Sequence, residues 1–479
     1  MRGPAASRRP AGPQAGHPVR PSAAGRAALA ALSALAVLPL VARPLAAQEP
    51  RPLSLAAAIR EARRGNPDAR VASARAIAAD AKATGSLAGL LPSVSFGSGV
   101  TRSVDPVFAF GTKLRQGRFG QPDFAPDVLN DPDPQTDWTG TAEVRWPVLS
   151  PAALGARAAA SRRADAAGWS AVRSGEAAAL GAETLYLEAM QTGAALEAAE
   201  EAEASARATR DVFARRVERG LLTRADLLQA ESEVSAAEAR RIDAVRTERD
   251  ALQALALYLG WEPDVVPVLT DSLAGADPVA GVDGPRHGEE PDTFDAASRS
   301  DLRQLAAARD AARADRTRAR LSYLPELTAF AGWAAHGTRA FSSDATDWTI
   351  GIGLRWSPFS GLARIAEARR SSAAEQVAEI RYDEALRRAR AEVSAASRAA
   401  AAADGRLAAA SAARAAAEAG DALMRRRFEE GLATASDVLA SQARLASARA
   451  REIDARADVR LAAARLRFVQ NDHPEEALP

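Results

Sequence analysis

Residues 152–219 and 362–430 of this chain each run without a proline. A helix of that length measures about 100 Å at 1.5 Å per residue, far beyond the three or four turns of an ordinary globular helix. Alanine dominates both stretches and aromatic residues make up only 5% of the chain. Such composition is thin material for a large globular core, but it lets long helix backbones approach closely. Apolar positions elsewhere recur at coiled-coil spacings, with Val234, Ile242, Val245, Leu252, Leu255 and Leu259 echoed by Leu445, Ile453 and Leu466.

The chain also repeats itself. Asp137-Trp138-Thr139 followed by Arg145-Trp146 returns as Asp347-Trp348-Thr349 followed by Arg355-Trp356, an offset of 210. Asp68-Ala69-Arg70 and Leu91-Pro92 match Asp301-Leu302-Arg303 and Leu324-Pro325 at 233. Gly220-Leu221, Thr223 and Asp226 match Gly431-Leu432, Thr434 and Asp437 at 211. The change from 233 to 210 places a 23-residue longer loop in the first copy, between 101 and 137. Internal repetition on this scale reads as a duplicated structural unit. The expected organisation has a first repeat at 48–260, with a helical stretch at about 55–90, strands at about 93–103 and 138–148, a long helix at about 152–219 and a helix at about 223–259. A linker at 261–294 leads to a second repeat at 295–470, with strands at about 326–336 and 347–357, then helices at about 362–430 and 434–470. A tail at 471–479 follows.

The strands alternate with a period of two. Trp138, Val144, Trp146 and Val148 share one face against Thr139, Thr141, Glu143 and Arg145; Trp348, Ile350, Ile352, Leu354 and Trp356 do the same against Asp347, Thr349 and Arg355. A soluble sandwich would also alternate in this way. The eight-residue tryptophan spacing favours lipid instead, because a tilted strand of that length rises about 20 Å, close to the apolar band between the aromatic girdles of an outer-membrane barrel. Four strands cannot close a barrel, since the smallest single-chain barrels have about 8. Open edges in lipid leave backbone groups unpaired. Several chains must pool strands: three would give twelve, and two would also close arithmetically.

The first 47 residues look like an export signal, with arginines, an apolar run at 27–42 and the small exit residues Ala46-Ala47. They carry six arginines and no acid, which leaves the remainder at −5 against +1 for the whole chain. An acidic mature chain gives no support for nucleic-acid binding. There is no cysteine, and the histidines are His17, His287, His336 and His473. No metal site, cofactor site or catalytic constellation is read from these residues.

The turns joining long and short helices are the candidate acting points. Gly220 and Gly431 suit the left-handed end of a helix, and Thr223-x-x-Asp226 and Thr434-x-x-Asp437 have the form of capping boxes. Capping alone would account for Thr223 and Thr434. Leu221 and Leu432, at exposed turns, suggest contact with a partner.

Duplication, Leu-Pro exits and Gly-Leu-x-Thr-x-x-Asp-x-Leu tips together resemble the TolC family of outer-membrane efflux channels, over essentially all of the mature chain. The resemblance implies an α+β membrane protein: a homotrimer whose twelve-stranded barrel in outer-membrane lipid continues as a helical tunnel across the periplasm. It implies work with a periplasmic adaptor and an inner-membrane pump, the adaptor docking near Gly220-Leu221 and Gly431-Leu432. It also places Asp437 at the first aspartate ring of the periplasmic entrance, with Asp226 its counterpart in the first repeat. Ala440 stands where a second ring would be, and Phe428 and Ala433 replace a latch tyrosine and arginine. An exported coiled-coil spacer or adhesin is the rival reading; it needs long helices but not duplicated Trp-bounded strands.

Overall fold

The computed structural model describes residues 51–262, 265–273 and 295–471. The export segment at 1–47, most of the linker and all but the first residue of the tail lie outside the described residues. In chain order the elements are β1 Arg51–Leu53, α1 Leu55–Gly65, α2 Pro67–Gly85, β2 Ser93–Ser103, α3 Pro106–Arg115, α4 Pro126–Asn130 and β3 Gln135–Leu149. Then come α5 Pro151–Glu218, α6 Arg224–Tyr258, β4 Pro267–Leu269, α7 Ser300–Leu321, β5 Glu326–Gly337, β6 Ala345–Arg355, α8 Ala363–Glu429 and α9 Ala435–Gln470.

The two proline-free stretches are single helices of 68 and 67 residues. The helical stretch expected from 55 to 90 is broken instead. Pro67 lacks an N–H and disfavours helical geometry in the residue before it, so Asn66 ends α1 and caps α2, its Oδ1 accepting from the N–H groups of Asp68 at 2.9 Å and Ala69 at 3.3 Å. The long loop of the first copy is partly helical as well, holding α3 and α4. Within the expected linker, β4 pairs in parallel with β1.

Helix α5 packs against α1, α2, α6, α7 and α9, and α8 against α7 and α9. Small residues set these distances: a Cβ on Gly155 would fall 2.7 Å from the Cα of Arg318, so only glycine permits this approach of α5 to α7. The buried seams are largely alanine, including Ala178, Ala182, Ala237, Ala448, Ala455 and Ala457. Ile242, expected on the apolar seam of α6, is exposed; Leu255 and Leu259 are buried as expected. A denser core forms where α1, the β1–β4 pair, α6 and α9 meet the middle of α5, around Leu53, Tyr186, Leu187, Met190, Leu255 and Leu259. There the Tyr186 hydroxyl donates to Asp271 at 2.7 Å; burial, reinforced by that carboxylate, pushes the phenol well above its ordinary range.

Alanine seams carry little information about register, and polar pairs supply it. Down the length of α5 and α9 lie Glu183–Arg467 at 2.5 Å, Gln191–Asp454 at 2.7 Å, Glu201–Arg449 at 2.9 Å and Thr209–Gln442 at 2.7 Å. Between α5 and α6, Glu203 pairs with Arg241 at 2.8 Å, and between α8 and α9, Arg414 pairs with Glu452 at 2.7 Å. Position 414 lies 211 beyond 203, and 452 lies 211 beyond 241. The same bridge therefore occurs at matching positions with its charges exchanged.

All four long strands form one antiparallel sheet in the order β2-β3-β5-β6. Strand β3 meets β5 across the middle, with a register shift between Trp146 and Leu149, and β2 and β6 are the edges. Among the described residues no helix is long and apolar enough to cross a membrane.

Candidate functional site

Register fixes which side chains share a face of the sheet. Val100 stands opposite Trp138, Phe96 opposite Ala142, Ala142 opposite Trp333, Trp333 opposite Trp348 and Ala331 opposite Ile350. One face is thus apolar across all four strands. It is also bare: Phe96 is 82% exposed, Trp348 75%, Ile350 and Ile352 72% and Leu354 69%. Removing these five side chains from water is worth on the order of 10 kcal/mol, at about 1.5–3 kcal/mol each. An apolar field of this size marks an interaction surface.

The other face carries Ser93, Ser95, Thr101, Thr139, Thr141, Glu143, Arg145, Asp347, Thr349 and Arg355. Phe330 is the departure from the alternation. It lies on the polar side over Gly351, where a Cβ would come within 2.6 Å of its ring.

The repeated tryptophans divide into two pairs. Trp138 is half-buried, and Trp348 lies exposed within β6. Trp146 and Trp356 donate their indole N–H to the carbonyls of Leu90 at 3.2 Å and Tyr323 at 3.1 Å. Each of those carbonyls stands two residues before the proline of a Leu-Pro exit. The inner tryptophan of each copy therefore pins the place where helix turns into strand.

At the opposite end of the sheet the repeated aspartates converge. Asp137 and Asp347 flank His336, which lies 2.9 Å from Asp137 Oδ2 through Nδ1 and 3.2 Å from Asp347 Oδ2 through Nε2. Gln116, at the end of α3, donates to Asp137 at 3.0 Å and to the carbonyls of Thr136 at 2.9 Å and Gly337 at 3.1 Å. Sequence reading had put Asp347 on the polar face and had noticed Asp137 only within the repeated motif, with no role for either. The recurrence of Asp before both Trp-Thr pairs was the available signal.

The helical tips are built alike. Gly220 and Gly431 take φ of +71° and +76°. The N–H groups of Leu221 and Leu432 reach back to the carbonyls of Arg216 at 2.8 Å and Arg427 at 2.7 Å, satisfying helix-end acceptors. Thr223 then caps α6 and Thr434 caps α9. Their hydroxyls accept from the N–H of Asp226 and Asp437, both at 3.2 Å, while those carboxylates accept in return from the threonine N–H groups at 3.0 and 2.9 Å. The Thr434 hydroxyl also donates to Asp437, and with the backbone N–H it holds that carboxyl below the usual carboxylate range. Leu221 and Leu432 are each 67% exposed.

Phe428, placed by sequence at the entrance, is buried inside the tip. Its ring centroid is 5.1 Å from that of Phe213, among Val438, Leu439, Leu222 and Met424. Arg216 of α5 lies 4.3 Å over the same ring and donates to the carbonyls of Phe428 at 2.9 Å and Glu429 at 3.3 Å. One arginine thus fastens the end of the second long helix to the first. Sequence reading missed it, because only the packing shows that α5 and α8 end side by side.

A membrane protein from Pseudomonas aeruginosa shares this fold at a TM-score of 0.73, with 18% identity over 87% of this chain and 92% of that one. The outer membrane protein VceC of Vibrio cholerae follows it at 0.68, with 19% identity over 87% and 95%. The MtrE outer membrane channel of Neisseria gonorrhoeae, in its open state, aligns at 0.69, with 17% identity over 87% and 88%. No curated protein sequence matches the chain. The family model for outer membrane efflux proteins matches residues 58–261 and 296–471, both blocks of helix and strand described above. The chain belongs to the outer membrane efflux protein family, passive export channels of the outer membrane.

Proposed function

We propose that three copies of this chain close a twelve-stranded barrel in the outer membrane and continue it as a helical tunnel into the periplasm, conducting substrates delivered by a periplasmic adaptor and an inner-membrane pump. One observation carries the reading: a four-stranded antiparallel sheet has a bare apolar face and two edge strands, β2 and β6, with no further strand beside them among the described residues. Lipid accounts for the face. It also forbids the open edges, since unpaired backbone groups cost several kcal/mol each in hydrocarbon. Joining β6 of one copy to β2 of the next removes every edge, and three copies of four strands make a barrel above the minimum of about 8. The duplicated halves then give each subunit two hairpins of sheet and two tips.

In this arrangement Trp138, Trp146, Trp348 and Trp356 belong to the membrane girdles. The exposed Leu221 and Leu432, presented by Gly220 and Gly431 and backed by capped Thr223 and Thr434, are the adaptor's docking points. Asp437 lies at the periplasmic entrance with Asp226 in the neighbouring tip, and Arg216 with Phe428 sets how tightly the second hairpin is held to the first. Residues 1–47 serve as the export signal.

Native mass spectrometry of the detergent-extracted protein tests the assembly. A trimer that forms ion-conducting pores in a planar bilayer is the expected result. A stable monomer retaining its strand content, or a water-soluble periplasmic species, would sink the proposal.

A further inference from the structure

Helix α6 carries more apolar surface than its own chain covers. Leu228 is 53% exposed, Ile242 55% and Leu257 48%. Each has a mate 211 residues further on in α9, at Leu439, Ile453 and Phe468. Those mates are covered. Leu439 lies in the apolar cluster at the tip with Phe213 of α5, Ile453 packs on the core that holds Tyr186 and Leu187 of α5, and the Phe468 ring lies 3.7 Å beneath the Arg173 guanidinium of the same helix. Position for position, the face that α9 turns to the first long helix is the face that α6 leaves bare.

The repeat says which surface is missing. Helix α9, the short lower helix of the second repeat, packs on α5, the long helix of the first. Exchanging the repeats turns that seam into one between α6 and α8. Within the chain it is not made, because α6 rests on α5 while α8 rests on α7 and α9. Helix α8 nevertheless carries a matching group: Leu423 is 58% exposed and stands 211 beyond Val212, which packs from α5 on the tip cluster. The heights agree as well. Leu228 is four residues past the start of α6 at Arg224 and Leu423 six short of the end of α8 at Glu429, which at 1.5 Å per residue puts them within about 3 Å of one level above the tips.

We propose that α6 of each copy seats against α8 of the next, with Leu228, Ile242 and Leu257 filling the seam and Leu228 meeting Leu423 of the partner subunit at the entrance. This rests on the channel reading above. The occupant is a second copy because joining β6 to the next β2 carries α8, which follows β6, alongside the neighbour's first-repeat helices, and toward the tips the outer one of these is α6. The polar pairs of the α5–α9 seam are not repeated there: Glu201 and Thr209 have Ala412 and Gly420 as their mates on α8. Register between copies at these levels therefore falls to the apolar side chains.

The chain has no cysteine, so a pair of introduced cysteines reports this seam without background. The full-length protein carrying Leu228→Cys and Leu423→Cys is extracted in detergent, shown by native mass spectrometry to be a trimer, oxidised mildly and run on a denaturing gel. Covalent dimers and trimers are expected from the double variant, and monomers from each single variant. A trimer that gives no cross-link, links formed only within single chains, or dimers from either single variant would overturn the seam and leave the trimer standing. As a second measurement, Ile242→Asp should raise the monomer fraction several-fold at equal protein concentration with helical circular dichroism unchanged, while Ile242→Leu keeps the trimer. A monomer fraction equal to that of wild type in the aspartate variant would also overturn the seam. Wild type that is itself monomeric before oxidation would instead sink the channel reading, and the seam with it.

Discussion

Reversing Glu203 to arginine is the sharpest test of how the long helices choose their partners. Glu203 is 4% exposed, with Arg241 of α6 at 2.8 Å and Arg207 at 2.5 Å. Removing one partner of a buried pair costs about 3–5 kcal/mol, but Arg241 keeps 32% of its side-chain exposure and water recovers part of that loss. The new guanidinium adds repulsion from Arg241, so a net cost of about 3 kcal/mol is expected for Glu203→Arg. Adding Arg241→Glu recreates the polarity already found at Arg414 and Glu452 and should recover most of it, less a few tenths for the like-charged i,i+4 neighbour Arg207. The coupling energy should then exceed about 2 kcal/mol. The assay is loss of helical circular dichroism on heating at one fixed scan rate, since large membrane assemblies unfold irreversibly, with single and double variants compared at equal concentration. A double reversal as damaged as the single one would refute the pairing argument. So would a single reversal that melts with wild type.

Four further outcomes follow from the tips. Arg216→Ala removes a cation above the Phe428 ring and two charge-assisted bonds to α8 carbonyls, together about 2–3 kcal/mol, and should raise basal conductance; wild-type conductance would show that the clamp does not hold the entrance. Asp437→Asn should reduce block of the pore by divalent cations applied from the periplasmic side, and unchanged block would leave Asp437 only its capping role. Its cap should be insensitive to pH from 5 to 8, because the carboxyl is held below its ordinary range: the stability it adds is present above the unfolded pKa of about 3.9 and is lost only as pH falls through the lower folded value. Leu432→Asp should impair export while the protein still reaches the outer membrane, and export at wild-type level would show that this exposed leucine is dispensable.

Much of the architecture could be read from local signals. Proline-free alanine stretches, alternation around paired tryptophans and the Gly-Leu-x-Thr tips located the long helices, four strands and both turns, because each depends on a short-range rule. What escaped depended on contacts distant in sequence. The break at Asn66-Pro67 was within reach of proline chemistry. The burial of Phe428 needed Phe213 and Arg216, more than 200 residues away. Ile242 fits the spacing of an apolar seam yet is exposed, because alanine rather than large side chains fills the α6 interface. The contacts of His336 with Asp137 and Asp347 join positions whose repetition was noticed through their tryptophans, and they became visible only with the strand register.

The exchanged charge at 203–241 and 414–452 bears on a difficulty that duplication creates. Two hairpins descended from one pattern, both lined by alanine, have nearly interchangeable surfaces, and close packing of small residues penalises a wrong partner weakly. If α9 took the place of α6 beside α5, Glu203 would face Glu452; if α6 took the place of α9 beside α8, Arg241 would face Arg414. The first sets like charges together at buried positions, where repulsion is least screened, and the second does so at half-buried ones. Discrimination then comes from what the incorrect assembly must pay rather than from extra attraction in the correct one. It also follows that the polar ladder between α5 and α9 can stay modest in strength. Once the hairpins are sorted, the contacts between them need only set register, and at the tip that task falls to Arg216, the Phe213–Phe428 pair and the Arg425–Ser205 bond.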